Sequence, residues 1–154
     1  QQLANLLAGV RVSVWYDWQN DGPDPAEREH NFGLVNTDLS PKPAYRAIRT
    51  LTGALRGCRI VRRLAGQGDA DYILLLEDET GGQRLAVWTL GEAHEVAIDV
   101  EKVGGGAPRG WRGLGGTFVP RLEDGHLHLE LGSLPCYVRL NGWKVGGPGR
   151  SAER

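Results

Sequence analysis

In QQLANLLAG, Leu3, Leu6 and Leu7 recur at helical spacing and stop at Gly9, which predicts a short helix with a glycine at its C-terminal end. VRVSVWY follows with β-branched residues at every other position, the pattern of a strand. DWQNDGPDPAEREHN then brings two prolines and a glycine; it is too polar for a core element and too long for a tight turn. FGLV is a short apolar run, and NTDLSPKP is a cluster of helix and strand breakers. In AYRAIRTLTGALRG, residues Tyr45, Ile48, Leu51 and Leu55 share one face, so an amphipathic helix ends at Gly57. Helix, strand, long polar loop and helix make one α/β repeat over residues 1–57.

The helical period then disappears. CRIVRRL, DYILLLED, QRLAVWTL, HEVAIDV, GTFVPRL, HLHLELG and CYVRL predict seven short strands at hairpin spacing over residues 58–141. DETGGQ is a hairpin loop between two of them. HLHLEL alternates strictly, with Leu127, Leu129 and Leu131 on one face and His126, His128 and Glu130 on the other. Seven antiparallel strands predict a β-sandwich, whose core Trp88 is expected to join. Residues 142–154 turn to Gly, Pro, Ser and charge and are expected to form a flexible tail, loosest beyond Val145.

Composition narrows this picture only slightly. The 18 Lys and Arg balance 19 Asp and Glu with no basic stripe, which argues against nucleic acid as a partner. No apolar run is long enough to span a membrane, and no charged-then-apolar start marks a signal peptide. The chain lacks Met throughout, which fits a mature or cut piece of a longer product. Cys58 and Cys136 are too few for a disulfide scaffold and have no CxxC or clustered His to make a metal site, so neither metal nor cofactor is expected. They open the first and last predicted sandwich strands, which leaves two readings: a disulfide, or two buried thiols.

A single strand between two helices is not a domain. Val10, Val12 and Val14 need strands on both edges, and residues 1–57 supply none. The phrase GLVNTDLSPKPAYRAIRTL, with Gly33, Leu34, Asn36, Asp38, Pro41, Lys42, Pro43, Ala44 and Tyr45 at their spacing, resembles the closing segment of (β/α)8-barrel glycoside hydrolases of the large retaining clan, with cellulase-like and β-xylosidase-like members. In that pattern an eighth strand ends in Trp, an excursion loop follows, and the phrase leads into the eighth helix. The resemblance implies a fold of two parts: the last βα unit of a TIM barrel over residues 1–57, then a C-terminal β-sandwich over residues 58–141. It also implies two catalytic glutamates on strands outside this sequence, a carbohydrate substrate, and an extracellular or periplasmic address. The phrase makes physical sense by itself. Pro41 and Pro43 hold the backbone extended until the helix begins, and Ser40 or Asp38 can cap nearby amides.

The strand end, WYDWQND, is where barrel sites sit. Sugar rings pack their C–H faces on aromatic rings, and their hydroxyls need polar partners. The resemblance makes Trp15 the ring beneath the sugar at the cleavage point. Asp17 and Trp18 then stand at the cleft rim, with Asp21 and His30 as further substrate contacts and no catalytic residue in the chain. The competing reading makes Trp15 and Trp18 plugs of the barrel top. The acidic loop holding Asp17, Asp21, Asp24, Glu27 and Glu29 is a solvated cleft lip rather than an acid/base dyad. His126 and His128 belong to an exposed strand face, and Trp111 and Trp143 mark a weaker candidate sugar surface. Against the hydrolase stand two readings: an accessory carbohydrate-binding β-sandwich with a leftover linker, and a structural interaction domain.

Overall fold

A computed structural model describes residues 1–146; residues 147–154, most of the expected tail, lie outside the described residues. The chain forms two compact units, Gln1–Gly53 and a second beginning at Ala54.

In the first unit, helix α1 spans Gln2–Leu7. It closes with the paired bonds of a glycine-capped end, Gly9 N–H to the Leu6 carbonyl at 3.1 Å and Val10 N–H to the Asn5 carbonyl at 2.9 Å. The strand expected over VRVSVWY does not form. A strand exists only as a ladder, and residues 10–16 have no ladder partner among the described residues, so Val12 and Val14 stand 76% and 86% exposed. A 3-10 turn at Arg28–Asn31 sits in the excursion loop, and helix α2 begins at Pro43 and ends at Leu55.

The second unit is antiparallel β throughout. Its strands are β1 (Cys58–Leu64), β2 (Asp71–Asp78), β3 (Gln83–Thr89), β4 (His94–Lys102), β5 (Arg109–Arg112), β6 (Thr117–Phe118), β7 (Arg121–Glu123), β8 (His126–Leu131), β9 (Cys136–Arg139) and β10 (Trp143–Val145). They form a six-stranded sheet in the order β1-β2-β3-β9-β5-β6 and a four-stranded sheet in the order β10-β4-β8-β7. Ile73, Leu75, Leu85, Val87, Val138 and Leu140 from the first sheet share one core with Val96, Ile98, Val100, Leu127, Leu129 and Leu131 from the second. Each such side chain contributes about 1.5–3 kcal/mol by leaving water, which is how two half-apolar sheets hold together as a sandwich.

The expected strands are present, with four corrections. GTFVPRL is two strands, because Pro120 cannot donate to a ladder; β6 goes to one sheet and β7 to the other. RGWR forms β5, which glycine-rich flanks concealed. Trp143–Val145, expected in the tail, pairs with Val100–Lys102 as an edge strand. Trp88 is buried, but on the face of β3 opposite the shared core, where it stacks on its cross-strand partner Tyr72 at 4.6 Å between centroids. Cys58 and Cys136 are free thiols, because β2 and β3 lie between their strands.

A buried carboxylate with a histidine partner is built into this unit. Asp71, 2% exposed, meets His94 Nε2 at 3.0 Å and accepts the Gln67 amide at 2.8 Å. Burial alone raises the Asp71 carboxyl, but the Thr89 hydroxyl, the Gln67 amide and His94 together hold it below its usual range. His94 is raised, first by its bond to the Glu92 carbonyl and then by Asp71. The stabilisation from His94 is therefore full below its unfolded value near 6.5 and is lost as pH rises through the elevated folded value. That from Asp71 is full above about 3.9 and is lost as pH falls through the depressed one. Urea midpoints are expected to fall from mildly acidic to mildly alkaline pH, and His94→Gln is expected to flatten that fall. A parallel pH profile in the variant would contradict the pair.

Candidate functional site

After Tyr16 the chain stops being free-standing. The peptide between Tyr16 and Asp17 is cis. Asp17 N–H donates to the Phe32 carbonyl at 3.1 Å, and Leu34 N–H returns a bond to the Asp17 carbonyl at 3.0 Å. Val35 N–H to the Trp18 carbonyl and Asn20 N–H to the Val35 carbonyl, both at 3.0 Å, complete a short parallel pairing. Val35 also bridges to Pro41, so the apolar run FGLV is the seam between the strand end and the phrase that leads into α2. Gly33 sits in that seam because nothing larger fits: a Cβ there would lie 2.2 Å from the Asn20 nitrogen.

Lys42 locks the excursion loop to this seam. Its ammonium donates to Asn20 Oδ1 at 3.0 Å and to the Asn31 carbonyl at 2.8 Å, while Gly33 N–H donates to the same Asn20 oxygen at 3.1 Å. Asn31 Nδ2 in turn donates to the carbonyls of Asp24 and Glu27. A hydrogen bond to a charged donor is worth roughly 1.5–3 kcal/mol. Lys42→Met is therefore expected to speed amide exchange at Gly33 about tenfold or more while leaving α2 protected; unchanged exchange at Gly33 would show that the loop is held otherwise.

The residues singled out by sequence gather around this seam in two environments. Trp15 is 42% exposed; its indole N–H donates to the Phe32 carbonyl at 3.1 Å. Part of its surface lines a cavity of about 330 Å³ with Ser13, Leu34, Ile48 and Leu51. Trp18 is 56% exposed and meets the Tyr45 ring edge-on at 5.9 Å. The Asp17 carboxylate accepts the Trp18 amide, and Asp21 is exposed. His30 is half-buried, with its ring over Gly22 and Nδ1 enclosed without a partner. Asp24 and Glu27 accept the amides of Ala26 and Glu29 and so shape the loop locally.

Two features escaped the sequence reading. Tyr16, 71% exposed, presents a further ring, which meets the Phe32 ring edge-on at 6.1 Å. Adjacency to Trp15 was its only signal. Lys42 stands in the quoted phrase, but its partner Asn20, 22 residues away, carried no local signal. Chemically, residues 15–21 offer exposed ring faces beside carboxylate acceptors, an arrangement suited to a pyranose, whose C–H faces stack and whose hydroxyls donate. Among the described residues no three His, Cys, Asp or Glu side chains gather as a metal site, and no helix is long and apolar enough to cross a membrane.

No protein-family model matches the chain, and the curated proteins give no match. A solved structure does, that of a family 39 glycoside hydrolase from the gut symbiont Bacteroides cellulosilyticus WH2, at a TM-score of 0.69 and 29% identity. That neighbour is a glycoside hydrolase. The match covers 82% of this chain and 26% of the other, so most of this chain resembles part of a glycoside hydrolase in fold and in sequence.

Proposed function

We propose that this chain is the C-terminal part of a retaining glycoside hydrolase that acts on a β-linked poly- or oligosaccharide. The likeness to a family 39 glycoside hydrolase over 82% of the chain carries the reading. Residues 1–57 then supply the end of a (β/α)8 barrel, and the sandwich follows it. The unpaired, exposed Val12 and Val14 support this, since a barrel strand without its neighbours has that character. Trp15 lies beneath the sugar, Asp17 and Trp18 form the rim, and Asp21 and His30 lie on the excursion loop that shapes it. The two glutamates of the double displacement belong to other strands of the barrel, so this chain positions substrate and does not perform the chemistry.

Turnover tests the proposal. Residues 1–154 alone are expected to leave aryl β-glycosides intact, and a polypeptide that joins them to the rest of the barrel is expected to cleave them. Cleavage by residues 1–154 above a heat-killed control would overturn the assignment of roles. A joined polypeptide that binds β-linked oligosaccharides without cleaving them would favour an accessory binding module.

A further inference from the structure

Arg84, Arg139 and Arg109 stand in a row across β3, β9 and β5. Arg84 pairs with Arg139, and Arg139 with Arg109. Residues paired in this way project from the same face, with neighbouring Cβ atoms about 5 Å apart, and like charges so placed repel. One carboxylate faces the row: Asp78, 3.7 Å from Arg84 Nη2. It is already engaged by the Thr80 hydroxyl and by the amides of Thr80 and Gly82. Arg84 is 6% exposed; one guanidinium nitrogen serves the Ala54 carbonyl, and Nε is buried without a partner. Among the described residues neither Arg139 nor Lys144 makes an ion pair.

These groups are not scattered. Arg84, Arg139 and Lys144 border one cavity of about 420 Å³, which Asp78 also lines, with Asn141 and Trp143 in its wall; Arg109 lies outside it, over the Trp111 ring. That size falls in the range of small-ligand pockets. The wall is fixed from behind: Asn141 Nδ2 donates to the Ala107 carbonyl at 2.9 Å and Trp143 Nε1 to the Gly106 carbonyl at 3.3 Å. Asn141 thereby keeps its amide oxygen as an acceptor. A row of guanidiniums with one engaged carboxylate, an orphaned buried donor and a free ammonium lacks one component, a planar or tetrahedral oxyanion that takes forked hydrogen bonds.

The geometry points to an oxyanion subsite in the sandwich unit, which takes the carboxylate of a uronic acid residue or the sulfate ester of an acidic saccharide. The oxyanion chemistry stands on Arg84, Arg139 and Lys144 around the cavity; that a saccharide carries the anion rests on the glycoside hydrolase reading above.

The test is a titration of the 154-residue chain, followed through the Trp143 indole and Arg139 guanidinium resonances. The probes are an oligogalacturonate, a sulfated oligosaccharide of equal length, cello-oligosaccharide as the neutral counterpart, and inorganic sulfate. One or both acidic oligosaccharides are expected to bind, more weakly as salt rises, and the one that binds identifies the anion. R139A and K144A, both exposed positions, are expected to keep the native urea midpoint and to weaken binding about tenfold each. Equal binding of the neutral oligosaccharide, no binding of the acidic ones or of inorganic sulfate, or unchanged affinity in both variants would overturn the subsite. Binding of inorganic sulfate with neither acidic oligosaccharide would overturn its saccharide assignment. The hydrolase reading fails separately, through absent turnover, which this titration does not read.

Discussion

Leu85→Ala is expected to destabilise the sandwich unit by about 2–5 kcal/mol, the range for deleting a buried leucine from a packed core. Leu85 lies on a central strand, is fully enclosed, and packs with residues of both sheets in the shared cluster. Its neighbours are anchored by ladders on either side, from Leu75 on β2 to Val138 on β9, so the cavity cannot collapse without breaking pairs. The urea midpoint should fall with little change in slope. Val119→Ala, at a position 80% exposed, should stay within about 0.5 kcal/mol of the native chain. Equal effects at the two positions would mean that the two sheets do not share a core.

In the proposed complete hydrolase, Trp15→Ala is expected to lower kcat/KM roughly tenfold to a hundredfold. If Trp15 stacks on the sugar as proposed, the loss of that face removes on the order of 1–3 kcal/mol, by analogy with base–aromatic stacking, and kcat/KM falls by that amount where the loss is felt in the transition state. Trp15→Phe should recover part of it: a ring face survives, while the indole bond to the Phe32 carbonyl goes. Asp17→Asn should cost less than Trp15→Ala, since an amide oxygen still accepts a hydroxyl. The cavity that Trp15 shares with Leu34, Ile48 and Leu51 gives the competing account a definite form, in which the indole is packing. Packing alone predicts a large drop in melting temperature with kcat/KM of the folded enzyme nearly native. Tyr16→Ala provides the internal comparison. If its loss of kcat/KM exceeds that of Trp15→Ala, the sugar-facing ring is Tyr16.

The parts of the fold that were legible in the sequence are those in which one local pattern decides the outcome. Alternation in HLHLEL became β8 with Leu127, Leu129 and Leu131 inward. The spacing of Tyr45, Ile48, Leu51 and Leu55 became α2. What stayed hidden depends on partners distant in sequence. VRVSVWY has the strand pattern but no ladder partner among the described residues, and pattern without pairing does not make a strand. RGWR and WKV have weak patterns and form β5 and β10 because β9 and β4 offer them edges. Trp88 lies on β3, buried on both faces, where composition cannot say which face belongs to the shared core. At the strand end, aromatic and carboxylate residues were visible because they crowd together in WYDW. The Lys42–Asn20–Asn31 lock was not, because its members come together only when the excursion loop returns.

The anomeric configuration of the first-formed product tests the account most directly. A polypeptide that joins residues 1–154 to the rest of the proposed barrel is incubated with a β-linked oligosaccharide, and proton NMR spectra are followed faster than mutarotation. The account predicts cleavage with the β anomer appearing first, as a double displacement on two glutamates requires. An α anomer appearing first, or no cleavage of any β-linked substrate, would contradict it.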